Sequence, residues 1–284
     1  MQATENIKSV ALLVHACDRY EFLYKGFEIF FNVHWDSNIP TVNYFATEEK
    51  DAEIKPFKMV KSEKGEWSDR LMKLLTHDIK EDYVIYMQED MWFTKPMNAD
   101  FFKAIIDYAV DNALDCVKLN SGNVYKTVPT GIDIHGLSLT TVDNAQSNYL
   151  MSHQITLWKK VFLLKQLKPN EHPWRNERRA TKRMKKANPK LHHIDYFADG
   201  GLPEINQNRN PAIRSAYHSI SINGLLGNNI EYFIAQLIEQ NLDMEYANKL
   251  QHNLENNLTH DGKPKPRKED LMQRFKRWLK KFYA

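Results

Sequence analysis

The sequence predicts an α/β fold built on a mostly parallel sheet flanked by helices and closed by a C-terminal amphipathic helix. Three observations carry that expectation. Short apolar runs rich in β-branched and aromatic residues alternate with segments of helical spacing from Lys8 to Leu119. One of those runs, Tyr83–Met87, ends abruptly in Gln88-Glu89-Asp90, as a buried strand does where it leaves a sheet. With 284 residues and 42% hydrophobic content, the chain is long enough to bury a large core.

Lys8–His15 reads as the first buried strand, followed by the loop Ala16–Tyr20 and a helix over Glu21–Val33 carrying Phe22, Phe27, Phe30 and Phe31. Pro40 opens a second strand, Thr41–Phe45, that runs into Ala46-Thr47-Glu48-Glu49, and a short third strand is expected near Phe57–Val60. Trp67–His77 has helical spacing, with Ser68 as its expected N-cap, and leads into the Tyr83–Met87 strand. Phe101–Asn112 is a further helix and Asp115–Leu119 a further strand. Past Asn120, short apolar pieces among Gly, Thr and Asn predict hairpins or an edge extension of the sheet. Helices are expected from Ile155 to Leu167, in part of Arg175–Lys190, and over Ile230–Leu242. Gly262–Arg267 has the composition of a linker, its prolines blocking regular structure. The expected organisation is one domain over residues 1–261 and a basic linker with an amphipathic tail helix over 262–284.

Two cysteines, Cys17 and Cys116, make no disulfide framework, so a reducing compartment is expected. Met1–Ser9 is polar and lacks a secretory pattern, and no run is long enough to span a bilayer. A cytoplasmic protein is the expectation, with peripheral contact at the inner face of the membrane through the tail. Leu271, Phe275, Trp278, Leu279 and Phe282 form one apolar stripe there, flanked by Arg274, Lys276, Arg277, Lys280 and Lys281. That pattern suits a helix lying on an anionic membrane surface and equally one packed on the domain.

The net charge of +3 hides segregation. Residues 165–192 hold ten Lys/Arg against two Asp/Glu, and residues 263–284 hold nine against two, which leaves 20 basic and 32 acidic residues elsewhere. Anionic partners are therefore expected at two places rather than over the whole surface.

Four ordered segments resemble a GT-A-type, nucleotide-sugar-dependent glycosyltransferase of the bacterial surface-polysaccharide branch. They are His15–Leu23 after the first strand, Ala46-Thr47-Glu48 after the second, Glu66–Leu71 leading to Gln88-Glu89-Asp90, and the pair Ser152–Trp158 with Glu171–Glu177. The resemblance spans roughly residues 8–235 and implies a GT-A-like (Rossmann-like) fold. It implies transfer of a sugar from a nucleotide-sugar donor, a UDP-sugar being favoured, to a saccharide or lipid-linked acceptor with inversion.

The same resemblance implies roles. Asp18, Arg19, Glu48 and Arg70 are the nucleotide-binding candidates; the plainer alternatives are a helix cap for Asp18, over which nucleotide contact is favoured, and pairing with a nearby acid for Arg70. Asp90, with Glu89 and a late histidine, His218, forms the candidate site for Mn2+ or Mg2+. Gln88 stands where the family pattern has its first acid, so metal independence, with Arg or Lys neutralising the diphosphate, stays open. Glu177 is the candidate general base and Asp199 its runner-up; a surface pairing of Glu177 with Arg175, Arg178 or Arg179 is the plainer alternative. A catalytically inactive sugar-nucleotide-binding relative also fits. A nucleic-acid-binding protein using segments 165–192 and 263–284 is disfavoured, because the body is acidic and the basic run lacks interleaved aromatics.

Overall fold

The computed structural model describes residues 10–122, 124–199 and 215–264. The chain parts into two compact units, residues 1–221 and 222–284.

The first unit begins with β1 (Val10–His15), a 3-10 helix over Asp18–Leu23, α1 (Tyr24–His34), β2 (Thr41–Thr47) and β3 (Lys58–Lys61). Then come α2 (Trp67–Lys73), which ends in a wider π turn over Leu74–Asp78, β4 (Tyr83–Met87), β5 (Met91–Phe93), α3 (Ala99–Asp111) and β6 (Cys116–Asn120). It continues with β7 (Thr127–Ile134), β8 (Leu137–Val142), β9 (Thr156–Lys159), α4 (Lys160–Gln166), α5 (Pro173–Ala187), β10 (His192–Asp199) and β11 (Ser215–Ser219). One sheet runs β3-β2-β1-β4-β9-β6-β10-β11-β5, with the β7–β8 hairpin attached through β8 to β10. The β3-β2-β1-β4 half is parallel throughout, as are β6-β10-β11. Helices cover both faces, so the predicted α/β class with a mostly parallel sheet is the fold observed.

Period-2 alternation sorts the strands onto two faces. On one face Ala11, Leu13, Tyr44, Ala46, Val84, Tyr86 and Cys116 share a core with α2, α4 and α5 through Trp67, Leu71, Phe162, Leu163, Ala180 and Met184. The other face is aromatic: Phe27 and Phe31 of α1 pack on Phe45, Phe57 and Phe93, and Phe102 of α3 packs on Phe197. Gly26 is what lets α1 approach so closely, because a Cβ there would lie 2.0 Å from the Trp92 ring.

Helix ends follow local chemistry. Asn98 caps α3 by accepting a 2.9 Å hydrogen bond from the Phe101 N–H. Pro173 starts α5 with its φ preset, and Asn188 ends it in the left-handed region.

Two sequence expectations need correcting. Residues 156–159, expected as the start of a helix, form β9, an antiparallel strand inserted between β4 and β6. The spacing of Trp158, Phe162 and Leu163 mimics a helix, but Thr156-Leu157-Trp158 is β-favouring, and a slot between two buried strands decides the outcome. Ser68 is not the cap of α2, which begins after Glu66 without a side-chain cap. Ser68 is fully buried, and its Oγ accepts the Glu171 N–H at 2.9 Å while its own N–H reaches the Glu171 carbonyl, so it fastens α2 to the start of the α5 region.

β12 (Ser221–Ile222) straddles the boundary, and the second unit continues with β13 (Leu225–Leu226), α6 (Ile230–Glu239) and α7 (Met244–Glu255). Asp243 caps α7 through the Tyr246 N–H at 2.8 Å. This division falls at 221/222, whereas the sequence reading put its boundary at 261/262. The tail from residue 265 onward lies outside the described residues, as does the side chain of Asp199. Among the described residues no helix is long and apolar enough to cross a membrane.

Candidate active site

The chain leaves β1 for β2 and β3 on one side and returns with β4 on the other. That reversal makes the carboxyl ends of β1 and β4 a topological switch point, the place where ligands of open α/β sheets bind. Five of the eight sequence-predicted site residues, Asp18, Glu48, Arg70, Glu89 and Asp90, gather at this edge.

Asp18 and Glu48 lock the first two loops together reciprocally. The Asp18 N–H donates to Glu48 Oε2 at 2.9 Å, and the Glu48 N–H donates to Asp18 Oδ1 at 2.8 Å. Asp18 Oδ2 also accepts the N–H groups of Glu49 and Lys50, at 2.8 and 2.9 Å. Burial alone would raise the Asp18 pKa, but those three N–H donors outweigh it and hold the carboxyl below its usual range. Most of its hydrogen-bonding capacity is thus spent on the loops.

Arg70 is buried beneath them. Its Nη1 donates to the Ala16 carbonyl at 3.0 Å and lies 3.4 Å from both Ser62 Oγ and Glu48 Oε1. Both readings of Arg70 depend on this placement: it already pairs with an acid, and its Nε has no hydrogen-bond partner. Arg19 is exposed, with its guanidinium 5.4 Å from the centroid of the neighbouring Tyr20 ring.

Glu89 and Asp90 occupy the turn between β4 and β5. Glu89 is 3% exposed, and its Oε1 accepts the Cys17 N–H at 3.1 Å, which ties the acid turn to the β1 loop. Asp90 is more open to solvent. Both carboxyls are raised well above the usual range, by loss of hydration first and, for Glu89, by the adjacent Asp90 charge. Acids left in that condition favour a proton or a cation beside them. In the antiparallel β5–β11 ladder His218 sits opposite Trp92, two residues along from Asp90, and burial lowers its pKa. Among the described residues, no three His, Cys, Asp or Glu side chains gather to hold a metal ion by themselves. The pair fits a hard cation that brings most of its oxygen ligands with it.

Glu177 belongs to a second cluster on the α5-covered face of the sheet. Its Oε1 accepts the His153 N–H at 3.0 Å. Burial raises its pKa, against the His153 N–H and the charges of Lys118 and Arg178. The surface pairing considered for Glu177 is not what it makes: Arg179 and Arg183 pair with Glu171 instead. His15, Trp67 and His153 form a row of rings between the two clusters, with centroids 5.9 and 4.2 Å apart.

Three members of this region carried no role in the sequence reading. Lys118 is completely buried in β6, has no hydrogen-bond partner for Nζ, and points at the Trp158 ring with Nζ 4.5 Å from its centroid. His15 and His153 are buried and each has an unpartnered Nε2. Burial holds both imidazoles neutral, His153 down to about 3. The available signal was a lysine on the inward parity of an apolar strand, Cys116-Val-Lys-Leu-Asn120.

No protein-family model matches the sequence, and no curated protein matches it. Among solved structures, residues 1–349 of S. aureus TarS superpose with a TM-score of 0.43 at 9% identity, covering 87% of this chain and 70% of that one. UDP-glucose pyrophosphorylase complexed with UDP-glucose superposes with a TM-score of 0.40 at 9% identity, covering 66% and 90% respectively. Neither likeness bears on what this chain acts on.

Proposed function

We propose that the chain is a glycosyltransferase that moves a sugar, with inversion, from a nucleoside-diphosphate donor to a saccharide or lipid-linked acceptor. The observation that carries this reading is the convergence of Asp18, Glu48, Arg70, Glu89 and Asp90 at the β1/β4 switch point, with an acid pair raised in pKa at its rim. Asp18 and Glu48 shape the wall against which the nucleotide lies, and Arg70 fixes that wall from below. Arg19, at the exposed entrance, meets the donor's phosphates.

Asp90 would be the direct protein ligand of Mn2+ or Mg2+, backed by Glu89, and the diphosphate and water would complete the coordination. When bound, the cation neutralises charge on the departing diphosphate. Binding is then ordered, donor with cation, because the described residues offer too few ligands to hold the ion alone.

Glu177 takes the proton of the acceptor hydroxyl as that oxygen forms its bond to the anomeric carbon. The bond from the anomeric carbon to the diphosphate oxygen breaks, and the nucleoside diphosphate leaves with the electron pair. A carboxylate raised by burial yet steadied by the His153 N–H and by Lys118 suits such a base. The exposed Trp174 and the segment Tyr149–His153 border the acceptor side.

Release of UDP from a panel of UDP-sugars, with a saccharide acceptor mixture, tests the reading. Glu177→Gln should lower transfer by roughly 10²–10⁴-fold, the usual contribution of a general base, while UDP affinity holds. Unchanged turnover in that variant would reassign the base.

A further inference from the structure

The outer face of α5 forms one wall of an open groove of about 610 Å³. Arg175, Arg178, Lys182 and Lys185 line it from the helix, and Tyr149 lines it from the facing segment. No described carboxylate lies within ion-pair distance of any of these four cations; the nearby Glu171 is taken by Arg183 and Arg179. Arg178 and Lys182, like Lys182 and Lys185, are three or four residues apart on one helix face, a spacing at which like charges oppose the helix. The inward face needs none of them, since Asn176, Ala180, Thr181 and Met184 do the packing. Arg175 and Lys185 reach only backbone carbonyls, of Asn170 and Ala145; a row of exposed cations without ion pairs along a concavity is complementary to a ligand with several separated negative charges.

The groove also leads somewhere. Thr181 Oγ1 accepts the N–H groups of Leu150 and Met151, at 3.2 and 3.1 Å, which pins the Tyr149 wall to α5. Two residues further on, the His153 N–H is held by Glu177. One short segment therefore runs from the charged groove to the buried carboxylate.

We infer that this groove binds an anionic saccharide chain, bearing phosphate or carboxylate groups, and that the chain is the acceptor. The cations take its charges, Tyr149 offers a flat face to a sugar ring, and the segment Tyr149–His153 guides its end to Glu177. The role as acceptor site rests on the transferase reading; the binding itself does not. A membrane surface fits poorly, because the apolar side of α5 is buried in the core rather than free to enter lipid. A nucleic acid fits poorly too, because among the described residues Tyr149 is the one aromatic lining the groove and successive bases need successive platforms.

The test is a titration of the full chain with phosphorylated dextran, oligogalacturonate and neutral dextran, beside a random oligonucleotide and phosphatidylglycerol vesicles. The charged saccharides should bind, the tighter of the two naming the anion, and neutral dextran should not. An R178A/K182A/K185A variant should lose about tenfold in affinity, the sum of three exposed charge contacts of ordinary strength. Its substitutions are on the exposed helix face, and UDP affinity should hold. Equal binding of neutral dextran, an unaffected variant, or tighter variant-sensitive capture of the oligonucleotide or vesicles would overturn the inference. Saccharide binding without UDP binding would instead end the transferase reading and leave the groove standing.

Discussion

The carboxyl edge of β1, β2 and β4 and the outer face of α5 both concentrate charge, and they treat it in opposite ways. At the sheet edge each of Asp18, Glu48 and Glu89 accepts at least one backbone N–H, and Arg70 reaches into the same knot from below. Along α5 four cations face solvent with no described carboxylate within ion-pair distance. The first arrangement is a hydrogen-bonded scaffold with the Glu89–Asp90 turn at its edge. The second is a field awaiting a counter-charge. Buried ionic groups must be satisfied within the fold, whereas exposed ones can be kept for a ligand, because water screens them when the ligand is away.

Breaking the scaffold should have the larger effect on stability. Arg70→Ala removes the guanidinium bonded to the Ala16 carbonyl and paired with Glu48, and leaves a cavity under both loops. Losing one partner of such a largely buried pair should cost about 3 kcal/mol, or roughly 6–12 °C in the melting temperature of a unit this size. Arg70→Lys should recover only part of it, since an ammonium cannot copy the planar fork. A melting temperature unchanged in Arg70→Ala would mean the loops are held by Asp18 and Glu48 alone.

Lys118 sharpens the contrast, since it is a cation buried without an acceptor. Burial lowers its pKa, with Cys116 and Glu177 pulling the other way. A depressed lysine leaves folding intact above its ordinary pKa, near 10.4, and weakens it as pH falls toward the folded value. Lys118→Met should therefore gain about 1 kcal/mol at neutral pH, with a smaller gain at pH 10, read by urea unfolding at both. It should also move the acid limb of the pH–rate profile to higher pH, because Glu177 loses the positive charge that lowers its pKa. A profile that stays put would separate Lys118 from the base.

The alternation of strands and helices through β6 was legible because period-2 and period-3.6 patterns are strong in Val10–His15, Tyr83–Met87 and Ala99–Asp111. The acids at the strand ends were legible for the same reason, since a buried run that stops at carboxylates marks an edge. What the sequence hid was tertiary in origin. β9 is a strand only because β4 and β6 leave a slot for it. Ser68 looks like a cap but serves a loop distant in sequence. Met91–Phe93, three residues long, joins the sheet through β11, a partner more than 120 residues away. No local pattern announces that Asp18 will spend its carboxylate on the N–H groups of Glu48, Glu49 and Lys50.

On the proposed function, a nucleoside diphosphate lies at the carboxyl edge of β1 and β4 with its cation on Asp90. Calorimetric titration of UDP, with and without Mn2+, into the wild-type chain and Asp90→Ala tests it most directly. Tighter binding with Mn2+, a Mn2+ gain that disappears in Asp90→Ala, and an unchanged melting temperature for that variant are the predicted results. Absence of UDP binding to the wild-type chain under both conditions would contradict it.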